Sequence, residues 1–180
     1  MFFLTDKKID RSVLEEMISN DAAGAIVVFE GRVRNRNDGR QVTQLEYEAY
    51  ATLVEKEAEK IVLETRDKFD IVSVACAHRI GALSIGETAV WIGVCSEHRD
   101  EAYQASRYLI EQIKHRLPIW KKETYIDGTS GWVNCQSCSQ GAHEAETSST
   151  HIHHPSLDRE ERSTREQTPS EVGKSGDSRY

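Results

Sequence analysis

Lys114 and Lys121 flank a proline in the stretch KHRLPIWKKE (114–123), where five basic side chains crowd around Leu117, Ile119 and Trp120. Lysines partly withdrawn from water beside other cations have lowered pKa values, and they then serve as general acid or base or hold an anion. The chemistry suggested is a bend at Pro118 that aims Lys114 and Lys121 into one pocket, with Trp120 as an apolar wall. The plain alternative is a solvated helix end, because cations at a helix C-terminus are favourable in themselves. Two further clusters are basic. GRVRNRN supplies Arg32, Arg34 and Arg36 at the exit of a strand, on one face if the strand continues. SEHRD places His98 and Arg99 at a helix start, where backbone N–H groups also favour phosphate. Each cluster by itself is an ordinary surface feature. Positive charge at a strand exit, a helix start and a proline bend together suggests a pocket for an anionic, phosphorylated small molecule.

These residues need elements to hold them. Val13, Leu14, Met17 and Ile18 have helical spacing within 10–20, and AGAIVVFEGRV (23–33) reads as a buried strand. Asp38-Gly39 signals a hairpin into a returning strand over 41–48, with Thr43, Leu45 and Tyr47 on one face. Residues 50–69 form the strongest helical stripe, through Leu53, Val54, Ala58, Ile61, Val62 and Phe69. Two apolar strands follow within 71–96, flanking a turn between Gly81 and Gly86 and carrying Cys76 and Cys95 as small core residues. Ser96 can cap the next helix, which buries Ala102, Ala105, Leu109, Ile113 and Leu117 and must stop at Pro118. Strands near Lys122–Ile126 and Trp132–Asn134 close the body. The order α-β-β-α-β-β-α-β-β, with hairpins, predicts an α+β fold on mainly antiparallel sheet.

The chain has 180 residues and a formal net charge of −7, which argues against general affinity for nucleic acid or anionic membranes. No apolar run approaches the roughly 20 residues of a membrane span. The start, MFFLTDKKIDR, lacks the basic lead and long apolar stretch of a signal peptide. The expectation is a cytoplasmic protein with reduced thiols. Large apolar residues are dense up to Cys135 and nearly absent afterwards. A domain over 1–138 and a disordered polar tail over 139–180 are therefore predicted. Cys135-x-x-Cys138 with His143, His151, His153 and His154 is a zinc-site alternative, though its spacings are irregular.

FEGRVRNRNDG, HRIGALSIGE, SEHRDEAY and KHRLPIWKKE, followed by GWV, resemble the catalytic (large) subunit of molybdopterin synthase over residues 1–135. The resemblance implies an α/β hammerhead with an added antiparallel sheet. It implies a sulfurtransferase that converts cyclic pyranopterin monophosphate (precursor Z) into molybdopterin. The two dithiolene sulfurs arrive as a thiocarboxylate on the C-terminal Gly-Gly of a small ubiquitin-like subunit. The large subunit forms a homodimer, with one small subunit at each end, giving a heterotetramer. No cofactor or metal is implied. By the same resemblance Lys121 and Lys114 are the catalytic residues: Lys121 transfers protons, and Lys114 positions the acyl carbonyl of the tail and assists the acid–base steps. Arg34, His98 and Arg99 bind phosphate and pterin, and Phe29 lies near the small-subunit tail. An arginine that commonly follows the family's Trp-Val pair is replaced here by Gln136. A non-catalytic assembly or scaffold subunit is the remaining alternative; the presence of both lysines argues against it.

Overall fold

Nine consecutive positions of one strand, β7 (Thr88–Ser96), are buried, the signature of a strand covered on both faces. In the computed structural model, which describes residues 1–133, this strand lies inside a four-stranded sheet. Its neighbours are β5 (Ser73–Arg79) and β2 (Ala25–Arg32), both antiparallel to it, and β1 (Phe2–Thr5) completes the sheet by pairing parallel to β5. One face carries α2 (Ala51–Lys68) and α3 (Arg99–Arg116), packed through Val54, Ala58, Ile61, Ala105, Leu109 and Ile113 against Cys76, Ile92 and Val94. The other face carries α1 (Arg11–Ile18), whose Leu14 and Ile18 cover Ala75, Ala77 and Trp91. Each fully buried Leu or Ile contributes on the order of 2 kcal/mol.

A second sheet holds the chemistry. It runs in the order β3 (Arg36–Asn37), β4 (Arg40–Ala49), β8 (Ile119–Tyr125), β9 (Ser130–Val133), with β6 (Gly81–Leu83) on β4 as well. Asp38 (φ 46°) and Gly39 (φ 77°) both have positive φ, so the predicted hairpin turn joins β3 to β4. Arg116 ties the helices together: its Nε donates to Glu57 at 2.8 Å and its Nη2 to Glu64 at 2.9 Å. Among the described residues no helix is long and apolar enough to cross a membrane.

The α+β class and mainly antiparallel sheets agree with expectation, as do all five buried positions predicted for α3. Several details differ. Strands β1, β3 and β6 were not anticipated: each is short and gains its identity from pairing with a longer strand. A bulge between Val42 and Gln44 buries Val42 and turns Thr43 outward, so Thr43 does not share the face of Leu45 and Tyr47. Leu53 is exposed on α2. Ser96 does not cap α3; it is buried and donates its hydroxyl to the carbonyl of His98, which occupies the cap position. Strand β2 ends at Arg32 with a register shift, so Arg32, Arg34 and Arg36 do not line one strand face. The predicted tail and the 138/139 boundary lie outside the described residues.

Candidate active site

Strand β8 alternates strictly. Lys121, Glu123 and Tyr125 point inward at 6%, 2% and 9% exposure, while Trp120 is 52% exposed on the opposite face. A buried lysine needs a partner, and Lys121 Nζ lies 2.9 Å from Glu123 Oε1, two residues along the same face. The other carboxylate oxygen accepts from Asn37 Nδ2 at 3.0 Å and from the Tyr125 hydroxyl at 2.9 Å. Burial alone would raise the Glu123 carboxyl; the Lys121 ammonium, the Tyr125 hydroxyl and the Asn37 amide outweigh it and hold the pKa below its ordinary value. Asn37 in turn accepts from Arg34 Nη2 at 3.2 Å. A continuous chain of contacts, Arg34–Asn37–Glu123–Lys121, therefore joins two of the residues singled out from sequence.

Lys121 also stands directly opposite Tyr47 of β4, on the same sheet face. Tyr47 is one wall of a slot of about 50 Å³, together with His78, Val90, Ile110, Ile113, Leu117, Ile119 and Lys114. Lys114 reaches it from the last turn of α3. The helix stops at Arg116 because Leu117 is extended (φ −76°, ψ 129°) before Pro118. The proline bend thus brings Lys114 and Lys121 to one region, through Tyr47. It does not make Trp120 a wall, because Pro118 starts a strand whose period of two sends Trp120 away from Lys121. The immediate partner of Lys121 is a carboxylate, where a second cation was expected.

Phe29 is half-buried on β2 and packs against the core beneath α3. Two residues on, Gly31 pairs with the slot residue Val90, and a Cβ on Gly31 would stand 2.5 Å from Val90 Cγ1. His98 and Arg99 are exposed at the N-terminus of α3, and His98 makes no side-chain cap bond. With a rise of about 1.5 Å per residue, α3 holds Arg99 about 22 Å from Lys114. The single pocket expected from three basic clusters is therefore not formed within one protomer. Gln136, Cys135, Cys138 and the four distal histidines lie outside the described residues; among the described residues no group of three or more His, Cys, Asp or Glu could hold a metal.

Sequence reasoning missed Asn37, Tyr47, His78 and Glu123 as parts of the site. The signal for Glu123 was present: Lys121-x-Glu123 in a strand puts both charges on one face. His78 is buried on β5, with Nδ1 2.9 Å from the Arg79 carbonyl and the Tyr47 ring edge-on at 5.0 Å. Burial depresses its pKa to about 4, against the smaller opposing effect of the Arg79 carbonyl.

The MoaE protein family model matches residues 4–116. The molybdopterin synthase catalytic subunit of Thermoplasma volcanium is 42% identical over 129 residues, covering 72% of this chain and 94% of that protein. The crystal structure of molybdopterin synthase from Staphylococcus aureus superposes with a TM-score of 0.70 at 41% identity, covering 73% of this chain and 96% of that one. The complex of subunits 1 and 2 of molybdopterin-converting factor from Helicobacter pylori gives 0.61 at 25% identity, over 73% of this chain and 89% of its matching chain. A buried lysine on β8, a second lysine at the end of α3 and this match across the folded body lead to one conclusion: the chain belongs to the MoaE protein family, that of the molybdopterin synthase catalytic subunits.

Proposed function

We propose that this site transfers sulfur to cyclic pyranopterin monophosphate, taking it from the C-terminal thiocarboxylate of a small ubiquitin-like subunit and building the dithiolene of molybdopterin. The observation that carries this reading is the chain Arg34–Asn37–Glu123–Lys121, which meets the slot of Lys114 at Tyr47. An anion-binding guanidinium, a proton-transfer group and a narrow channel thus adjoin. Lys121 transfers protons and Glu123 holds it in place. Lys114 positions the acyl carbonyl of the tail, and Phe29 backs the channel. Each transfer forms one C–S bond to a pterin side-chain carbon while a C–O bond at that carbon breaks, its oxygen leaving on the phosphate as the ring opens or as water. Water then adds to the acyl carbon, the acyl C–S bond breaks, and the tail departs as a carboxylate. The slot suits a Gly-Gly end, because its walls of Val90, Ile110, Ile113, Leu117 and Ile119 make it narrow and mostly apolar. The Helicobacter pylori complex supports a small-subunit partner.

The length of α3, which keeps Arg99 about 22 Å from Lys114, supports a reading in which His98 and Arg99 serve a different site from the Lys114 of their own chain. In this reading a homodimer, with one small subunit at each end, lets them hold the phosphate of substrate bound to a second copy. The test is product formation from the purified protein, a thiocarboxylated small subunit and cyclic pyranopterin monophosphate. Wild-type protein should yield molybdopterin; Lys121→Ala should lose product by at least about a hundredfold while still forming the complex. Equal product from both would remove Lys121 from the mechanism, and none from a well-folded wild-type complex would favour the scaffold reading.

A further inference from the structure

We propose that His78 is a positioning residue whose Nε2 accepts a hydrogen bond from a backbone N–H of the extended glycine terminus entering the slot beside Lys114. This rests on the reading of the slot as the channel for the small-subunit tail. A carbonyl oxygen only accepts, so the 2.9 Å contact to Arg79 requires a proton on His78 Nδ1. In the neutral ring the other nitrogen, Nε2, is then an acceptor. The ring stays neutral through the physiological range, because burial holds its pKa near 4.

The tail needs such a group. A peptide leaving water must find partners for its N–H and C=O groups. Val90, Ile110, Ile113, Leu117 and Ile119 offer none from their side chains. The ammonium of Lys114 is a donor only and serves a carbonyl or carboxylate oxygen. An acceptor for N–H must come from one of the two polar walls left, Tyr47 and His78; His78 lines the slot from a rigid central strand, and its Nε2 in this tautomer can only accept. Of the neighbouring charges, the Arg79 guanidinium is held by Glu87 at 3.2 Å, and Lys114 lines the same slot. The Tyr47 ring, edge-on at 85°, fixes the imidazole plane.

The experiment measures the affinity of the full chain for a small subunit ending in a Gly-Gly carboxylate, and for the same subunit lacking those two residues. His78→Phe keeps the ring and volume without the acceptor; His78→Gln returns an acceptor near the place of Nε2. We expect about tenfold weaker binding of the intact subunit by His78→Phe, and His78→Gln within about threefold of wild type. Neither variant should alter binding of the shortened subunit. In wild-type protein labelled at histidine nitrogen, the His78 Nε2 resonance should move when the intact subunit is added, a readout independent of how well either variant folds. If removing the two glycines costs wild type nothing, the channel reading fails and takes this proposal with it. If it does weaken binding, a His78 Nε2 resonance that stays put, or His78→Phe binding as wild type, overturns the role of His78 alone.

Discussion

Glu123 decides whether a lysine can live inside the second sheet. Its carboxylate accepts from Lys121, Tyr125 and Asn37, and no water-facing alternative is open to a side chain 2% exposed. Glu123→Gln removes the charge while keeping the shape, leaving a buried ammonium uncompensated. It should lower stability by about 3 kcal/mol, read from the urea midpoint, and reduce turnover along with it. An unchanged midpoint would mean that the pair is idle. His78 makes a prediction about acid. Its folded pKa of about 4 lies below the ordinary 6.5, so the unfolded chain binds the proton first. The stability tied to its neutral form is complete above pH 6.5 and is lost as pH falls toward 4, by about 3 kcal/mol across that window. Urea titrations at pH 7 and pH 5 should show a shallower loss in His78→Phe than in wild type. Residue types alone led to Lys114, Lys121 and the cluster of Arg32, Arg34 and Arg36, because cations in clusters stand out in an acidic chain; the family resemblance singled out Arg34. They did not lead to Glu123, although its spacing from Lys121 in a strand was a signal, nor to His78, whose neighbours Tyr47 and Lys114 come from other elements.

Helix α3 was legible nearly in full, since local periodicity defines its buried face and Pro118 its end. The strands were legible where they are long and less so where pairing defines them. Strand β1 has four residues and no period of its own; it is a strand because Phe2–Thr5 lie parallel to Cys76–Arg79. The bulge in β4 cannot be read from β4 alone, because it belongs to the register with β8. Tight pairing also makes β2 sensitive near the slot. Gly31 leaves no room for a Cβ against Val90, so Gly31→Ala should push that wall into the channel. The expected result is about 1–2 kcal/mol of lost stability and weaker binding of the intact small subunit, checked by urea unfolding and by titration.

In the proposed reading, one rigid helix carries an anion-binding group at each end. Arg99 and Lys114 cannot meet within a protomer, so a shared site predicts rescue between defective copies. Arg99→Ala and Lys121→Ala should each be inactive alone. Unfolded together and refolded as a one-to-one mixture, they should recover about one quarter of wild-type activity, since half the dimers then hold one intact site of two. No recovery would place both residues in the same protomer's site. At this level the sequence suggested one pocket for three basic clusters and did not reveal that α3 holds His98 and Arg99 away from Lys114. Strand β8 leaves a different mark on how the chain can change. The buried pair Lys121 and Glu123, to which the proposal gives the chemistry, sits on its odd numbers, and an exposed tryptophan on an even one. Substitution at 120 or 122 disturbs a single outward position. Loss or gain of one codon between Pro118 and Lys121 would exchange the two faces at once, sending the lysine out and a neighbour in. Drift in this segment is therefore confined to replacements, and its length is frozen.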